Sequence, residues 1–318
     1  MNGVKPLRIV FMGTPDFAVP SLKMLINEGY DVAAVVTQPD KPVGRGNRMA
    51  SPPVKAYAIE KGIGVMQPLK VKSKEFADEL KAVGAELFIT AAFGRMLPQE
   101  ILDIPKYGCI NVHASLLPKY RGAAPVNWVI INGEKKTGIT TMFTDKGMDT
   151  GDMLLKREIE IPDSINAGEL HDKLAALGAR VLKDTLNKLV DGTLVRTPQP
   201  DEEATYAPMM NRDMGTIAWS RTSKQIHNLV RGTNPWPGAF TFYMGERMKI
   251  WRTEAVQNDR LPAVQYAIPG AVCKAGEDGL LIKSGEGYVR VIEIQFDSSR
   301  RMNVKECWHN FHEGEVFG

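Results

Sequence analysis

Short apolar runs alternating with helix-period segments constrain this chain's fold more than any other feature. "LRIVFM" (7–12) meets Gly13 and then "TPDFAVPSLKML". "DVAAVVT" (31–37), "AELFITAAF" (85–93) and "GCINVHAS" (108–115) repeat the pattern, with "SPPVKAYAIEKG" and "KEFADELKAVG" reading as helices between them. Apolar runs of this length suit strands covered on both faces, and strands alternating with helices argue for parallel neighbours. The chain is therefore expected to open with an α/β domain, a Rossmann-like, mostly parallel sheet with helices on both faces. Ligands of such sheets collect at the carboxyl ends of the strands. The first turn, "FMGTPDF", lacks the G-x-G-x-x-G that cradles a pyrophosphate, which argues against a dinucleotide cofactor.

The longest amphipathic periodicity, from Glu169 to Gly192, predicts a helix ending at Gly192. It is followed by "TLVRTPQPDEEATYAPMMNRDMG", rich in proline and charge, which reads as a linker. Beyond a helix at "SKQIHNLVRG", short runs broken by Gly-Glu and Asp-Gly turns predict a small antiparallel barrel or sandwich. The expected division is an α/β domain over 1–190, a linker over 191–207 and a β domain over 208–318.

Bulk properties exclude several function classes. A net charge of +3 over 318 residues is far below that of a general nucleic-acid coater, so contact with RNA would have to come from local basic clusters. Three widely spaced cysteines (Cys109, Cys273, Cys307) give neither a disulfide framework nor a metal spacing, and a reducing, metal-free setting is expected. The opening "MNGVKPLRIVFMGTP" has too short an apolar run for a signal peptide, so secretion and membrane insertion are not expected.

Within "INVHASLLPKYRGAAP" (110–125), Asn111 and His113 stand two apart at a strand end and so point to one face. An imidazole that moves protons beside an amide that donates to an oxyanion would suit acyl-type transfer. A hydrogen-bonded structural histidine fits the same spacing. In "DKGMDTGDMLLKREIEI" (145–161), Asp149 follows His113 by 149 − 113 = 36 positions, enough for a strand and a return that place its carboxylate by the imidazole and fix its tautomer. A turn-capping aspartate fits equally. Ser115 lacks the G-x-S-x-G elbow, so direct attack by a substrate amine suits the group better than a covalent enzyme intermediate.

With these residues in view, "NVHASLLPKYRGAAPVNWVIINGEKKTGITTMFTDKGMDTGDML" resembles the central segment of the folate-dependent formyltransferases. "RIVFMGTPDFAVPSL", "QPDKPVGRGNRMASPPVK" and "NPWPGAF" extend the likeness along the chain, toward the tRNA-acting branch. The resemblance implies transfer of the formyl group of 10-formyltetrahydrofolate to the α-amino group of methionyl-initiator tRNA. It implies a catalytic trio at Asn111, His113 and Asp149, and a folate-binding turn at Ser115, Leu116, Leu117 and Pro118. It makes 38–55, with Lys41, Arg45, Arg48 and Lys55 against the single carboxylate of Asp40, the loop that enters the acceptor stem. The β domain is then an OB-like barrel, with Arg221, Lys224, Arg231, Lys249 and Arg252 as candidate backbone contacts. A monomer in a bacterial cytoplasm is expected. Ala114 and the stretch 209–219 depart from the branch's usual pattern. Two alternatives are a formyltransferase for a small amine, such as a nucleotide sugar or glycinamide ribonucleotide, and a non-catalytic RNA-binding protein.

Overall fold

The computed structural model describes residues 7–43, 48–257 and 268–318. Two compact units account for the chain: Met1–Pro125, Thr137–Glu160 and His171–Ala207 form the first, and Val126–Lys136, Ile161–Leu170 and Pro208–Gly318 the second.

The first unit holds strands β1 (Arg8–Gly13), β2 (Asp31–Val36), β5 (Val65–Met66), β6 (Leu87–Ala91), β7 (Cys109–His113), β8 (Lys136–Phe143) and β9 (Met153–Glu160) in one sheet ordered β5-β2-β1-β6-β7-β8-β9. The first five are parallel and β8 is antiparallel to β7. Helices α1 (Val19–Asn27), α2 (Pro53–Glu60), α3 (Lys74–Val83) and α6 (Ala167–Val190) accompany it. The strands are buried on both faces, as the unbroken apolar runs require: Ile9, Val10, Phe11 and Met12 are all fully covered. Sequence signals end the helices as expected. The Ser73 hydroxyl accepts the Phe76 N–H at the start of α3, and Gly84 closes it in the left-handed region. The Asn166 and Glu169 side chains cap α6 reciprocally, which starts it ahead of the predicted Glu169.

Strand order reverses about β1, with β2 on one side and β6 on the other, the switch point at which open α/β sheets hold ligands in a crevice at the strands' carboxyl ends. There Thr14 Oγ1 donates to the Phe93 carbonyl and accepts the Gln38 N–H. Within the basic segment that follows β2, β3 (Lys41–Val43) pairs antiparallel with β4 (Arg48–Ala50) as a two-stranded ribbon. Lys55 Nζ lies 2.8 Å from both Asp40 carboxylate oxygens and from Gln67 Oε1, tying the ribbon's two ends together.

Residues 191–207, read as a linker, run within the first unit. Thr197 bridges Met153, and Tyr206 bridges Arg121.

The second unit contains α7 (Ser223–Gly232) and an antiparallel sheet of β10 (Ala239–Tyr243), β11 (Glu246–Val256), β12 (Val272–Gly276), β13 (Gly279–Lys283), β14 (Tyr288–Phe296) and β15 (Met302–Asn303). Ile226, Val230, Met248, Ile250, Ile282, Val291 and Ile294 belong to its core. Residues near 314–318 hydrogen-bond both edges of the sheet: Gly318 pairs with Phe242 of β10, while Gly314 and Glu315 pair with Val272 of β12. No helix among the described residues is long and apolar enough to cross a membrane.

Candidate active site

Asn111 and His113 sit at the carboxyl end of β7, where β6 and β8 flank them. In the ladder Thr90 is directly opposite Asn111, and its hydroxyl donates to Asn111 Oδ1 at 2.9 Å. With the hydroxyl donating to Oδ1, the Nδ2 amino group stands on the side of the amide away from Thr90. The Nδ2 amino group has no hydrogen-bond partner among the described residues, so it is available to a ligand oxygen.

His113 is buried, and its Nε2 lies 3.0 Å from the Tyr120 carbonyl. A carbonyl only accepts, so Nε2 carries a proton and in the neutral ring Nδ1 is bare. Nδ1 faces Asp149 Oδ2 at 3.7 Å. The separation exceeds hydrogen-bonding distance and leaves the two groups facing each other across a gap that a coulombic attraction to an imidazolium can span. The expectation that Asp149 fixes the His113 tautomer is therefore corrected, because the Tyr120 backbone does so.

Tyr120 is held in the left-handed region at φ 62°, with its N–H on Thr205 Oγ1 at 2.9 Å. Arg121 N–H donates to the Thr205 carbonyl, and the Arg121 carbonyl accepts the Ala207 N–H. The segment taken for a linker thus pins the carbonyl that orients His113.

Asp149 lies in the turn between β8 and β9. Its carboxylate Oδ2 accepts the Gly122 N–H at 2.8 Å, and its φ of 56° is left-handed. For a non-glycine residue that conformation costs about 1–2 kcal/mol, a debt that several hydrogen bonds of about 1 kcal/mol each offset. The partners are present: Gln199 Nε2 donates to the Asp149 and Gly151 carbonyls at 2.8 and 2.7 Å, and Asp145 Oδ1 accepts from Gly147 N and Thr150 Oγ1. Gly151 lies against β8, where a Cβ would stand 1.8 Å from the Phe143 carbonyl oxygen, so no other residue fits the turn.

The Ser115–Pro118 turn is largely satisfied internally. Thr140 Oγ1 donates to the Ser115 carbonyl and accepts the Leu117 N–H, and Ser115 Oγ donates to the Lys119 carbonyl. Leu117 is fully buried with Met142 and Met153, Pro118 is buried, and Leu116 is half-exposed. Cys109, on the same strand, is no nucleophile, since burial pushes its thiol up to about 12. No group of three or more His, Cys, Asp or Glu among the described residues could hold a metal.

The basic residues divide. Lys41 is exposed, with Nζ on Gln38 Oε1 at 3.0 Å. Arg48 belongs to β4, and Arg45 lies outside the described residues. Lys55 is engaged by Asp40 and Gln67. In the second unit Arg221 and Arg252 are exposed, and Lys249 Nζ sits 5.3 Å from the Trp251 ring centre. Arg231 is corrected as a nucleic-acid contact. It is buried, with its guanidinium on the carbonyls of Pro162 and Ile165 and on Asn228 Oδ1. Lys224 pairs with Asp163 at 2.9 Å.

Sequence reasoning missed Thr90, Gln199, the Tyr120 carbonyl and the structural part of Arg121. Thr90 could have been found from register, since it ends the strand beside Asn111. Gln199 could not, because a polar residue in a proline-rich stretch carries no periodicity.

Two family profiles match the chain: "Formyl transferase" over residues 7–186 and "Formyl transferase, C-terminal domain" over 209–312. The chain is 61% identical over 314 residues to the methionyl-tRNA formyltransferase of Acetivibrio thermocellus, covering 98% of this chain and all of that protein. It is 58% identical over 300 residues to that of Ruminiclostridium cellulolyticum, covering 94% and 95%. Among solved structures it resembles WlaRD, a sugar 3N-formyl transferase crystallised with dTDP and 5-N-formyl-THF, with a TM-score of 0.67 at 20% identity over 94% of this chain and all of that one. This last likeness is one of fold.

Proposed function

Because the chain belongs to the formyl transferase family, among its methionyl-tRNA formyltransferases, we infer that it moves the formyl group of 10-formyltetrahydrofolate to the α-amino group of methionyl-initiator tRNA. The near-full-length identity to curated methionyl-tRNA formyltransferases carries the reading and displaces a small-amine acceptor or a non-catalytic RNA binder. Folate supplies the activated formyl group.

The chain's own residues then divide the work. The free Asn111 Nδ2 donates to the oxyanion that develops as the amine adds to the formyl carbon. His113 Nδ1, the one ring nitrogen not spent on Tyr120, takes the proton that the amine loses and returns it to the departing nitrogen. Asp149 stabilises the imidazolium formed in between, from 3.7 Å. Of the Ser115–Pro118 turn, Leu116 is the residue open to a flat ring, while Ser115, Leu117 and Pro118 brace it from behind.

The first unit is proposed as the catalytic domain and the second, with an OB-like barrel, as the tRNA-binding domain. Lys41 and Arg48 of the ribbon after β2, and Arg45 between them in the sequence, would meet the acceptor stem, where cations neutralise phosphates. The setting is the cytoplasm, where the aminoacylated acceptor is made, and the working state a monomer, which light scattering tests.

The test is formyl transfer from 10-formyltetrahydrofolate to initiator and elongator methionyl-tRNA, with His113→Ala in parallel. Initiator-selective transfer lost in the variant is expected. No transfer to either tRNA, with folate still bound, would return the small-amine acceptor.

A further inference from the structure

We infer that Gln199 is a positioning residue for Asp149, held in turn by the buried guanidinium of Arg121; the inference rests on the catalytic reading of Asp149 given above. The Gln199 amide is fully committed. Its Nε2 donates to the carbonyls of Asp149 and Gly151, and its Oε1 accepts Arg121 Nε at 3.0 Å. The orientation cannot invert, since a flipped amide would set an NH2 against a guanidinium donor and an oxygen against two carbonyls. Arg121 is only 2% exposed, and its Nη2 reaches Asp201 Oδ1 at 2.9 Å. Charge-assisted bonds join Arg121 to Asp201 and to Gln199, and the neutral Gln199 amide carries the chain on to the backbone of the Asp149 turn.

The same arginine sits at the centre of the site's other supports. Its chain neighbour on one side, Tyr120, gives the carbonyl that holds His113, and its neighbour on the other, Gly122, gives the N–H that holds the Asp149 carboxylate. Residues 120–122 therefore hold the imidazole and the carboxylate directly, and through the Arg121 side chain and Gln199 they hold the turn that carries the carboxylate. Gly151 packs against the Phe143 carbonyl with no room for a Cβ, so the turn has no slack on its other side. Stiffness of this kind suits a catalytic group whose attraction to His113 acts across a gap, where a displacement of about 1 Å can cost on the order of 10²-fold in rate.

Gln199→Glu isolates the donor function. It keeps an oxygen for Arg121 and replaces the NH2 with an oxygen facing two carbonyls. The expected result is a fall in kcat of about tenfold, KM for 10-formyltetrahydrofolate and for methionyl-tRNA within about twofold, and a melting temperature within a few degrees of the parent. The Gly122 amide, which loses its carboxylate acceptor, should exchange with solvent measurably faster. In the double variant with Asp149→Asn the Gln199 effect should vanish, because a group acting through Asp149 adds nothing once the charge is gone. Should Gln199→Glu fail to fold, Arg121→Lys, which keeps the charge but not the planar fork, carries the same expectations. Independent, multiplying losses in the double variant, an unchanged kcat, or a loss matched by a fall in melting temperature would overturn the inference. Absence of transfer in the parent protein would overturn the functional reading instead, and Gly122 exchange would still decide the geometry.

Discussion

His113 Nδ1 stands 3.7 Å from Asp149 Oδ2, while the other ring nitrogen is bound to the Tyr120 carbonyl, so the pair is coupled by charge and not by a shared proton. Asp149→Asn keeps the side-chain shape and an acceptor for the Gly122 N–H but removes the charge. It should lower kcat by on the order of 10²-fold, the scale of acid–base assistance, with folate affinity unaltered. Single-turnover formyl transfer and equilibrium folate binding measure the two quantities; a parallel loss in both would assign Asp149 to binding.

The Thr90 hydroxyl orients the Asn111 amide, which makes Thr90→Val a test of orientation apart from presence. The valine keeps the volume and the strand preference, but Asn111 Oδ1 loses its donor and the amide can turn. Asn111→Ala should cost on the order of 10²–10³-fold in kcat, the range for one oxyanion donor. Thr90→Val should cost about fivefold, for a hydrogen bond worth about 1 kcal/mol. Equal kcat for Thr90→Val and the parent would remove the orienting role.

Lys55 and Asp40 close the base of the basic ribbon, so the ribbon's stem is set by residues that need not touch RNA. Lys55→Met should raise KM for methionyl-tRNA by roughly fivefold, the equivalent of about 1 kcal/mol of ordering, and leave KM for 10-formyltetrahydrofolate unchanged. A rise in the folate KM as well would mean that Lys55 supports the crevice at the strand ends and not the ribbon.

Most of the first unit was legible because its strands are apolar without alternation, and that pattern admits little besides a sheet covered on both faces. The position of Asn111 and His113 followed from strand period alone. What escaped were groups that act through main-chain atoms. The Tyr120 carbonyl holds the His113 tautomer, and no side-chain pattern encodes a carbonyl. Gln199 and Thr205 were hidden in a stretch whose prolines and charges resemble a tether, although its hydrogen bonds go to residues 78 and 85 positions earlier. Arg231 misled in the opposite sense. A basic residue near the end of a helix suggests a phosphate contact, and only its burial against two carbonyls shows a structural arginine.

The second unit carries its own acid sensitivity, at His227. His227 is 8% exposed, with Nδ1 at Thr253 Oγ1 and Nε2 at the Asp163 carbonyl. Burial, then the adjacent Arg231 charge, lowers its pKa from 6.5 to about 4, with Lys224 adding in the same direction and Asp163 opposing. Because the folded pKa lies below the unfolded one, the unfolded chain binds the proton first as pH drops. The contribution is complete above about 6.5 and is lost as pH falls toward about 4, and at 1.36 kcal/mol per pH unit it amounts to about 3 kcal/mol. Asp163, whose carboxyl Lys135 and Lys224 hold well below the usual carboxylate range, surrenders its share only below about 3.8. The two groups therefore act in separate windows. Thermal unfolding followed between pH 7 and pH 4.5 should show a falling midpoint in the parent and a shallower fall in His227→Gln, which cannot titrate. Parallel curves for the two proteins would move the acid sensitivity away from His227.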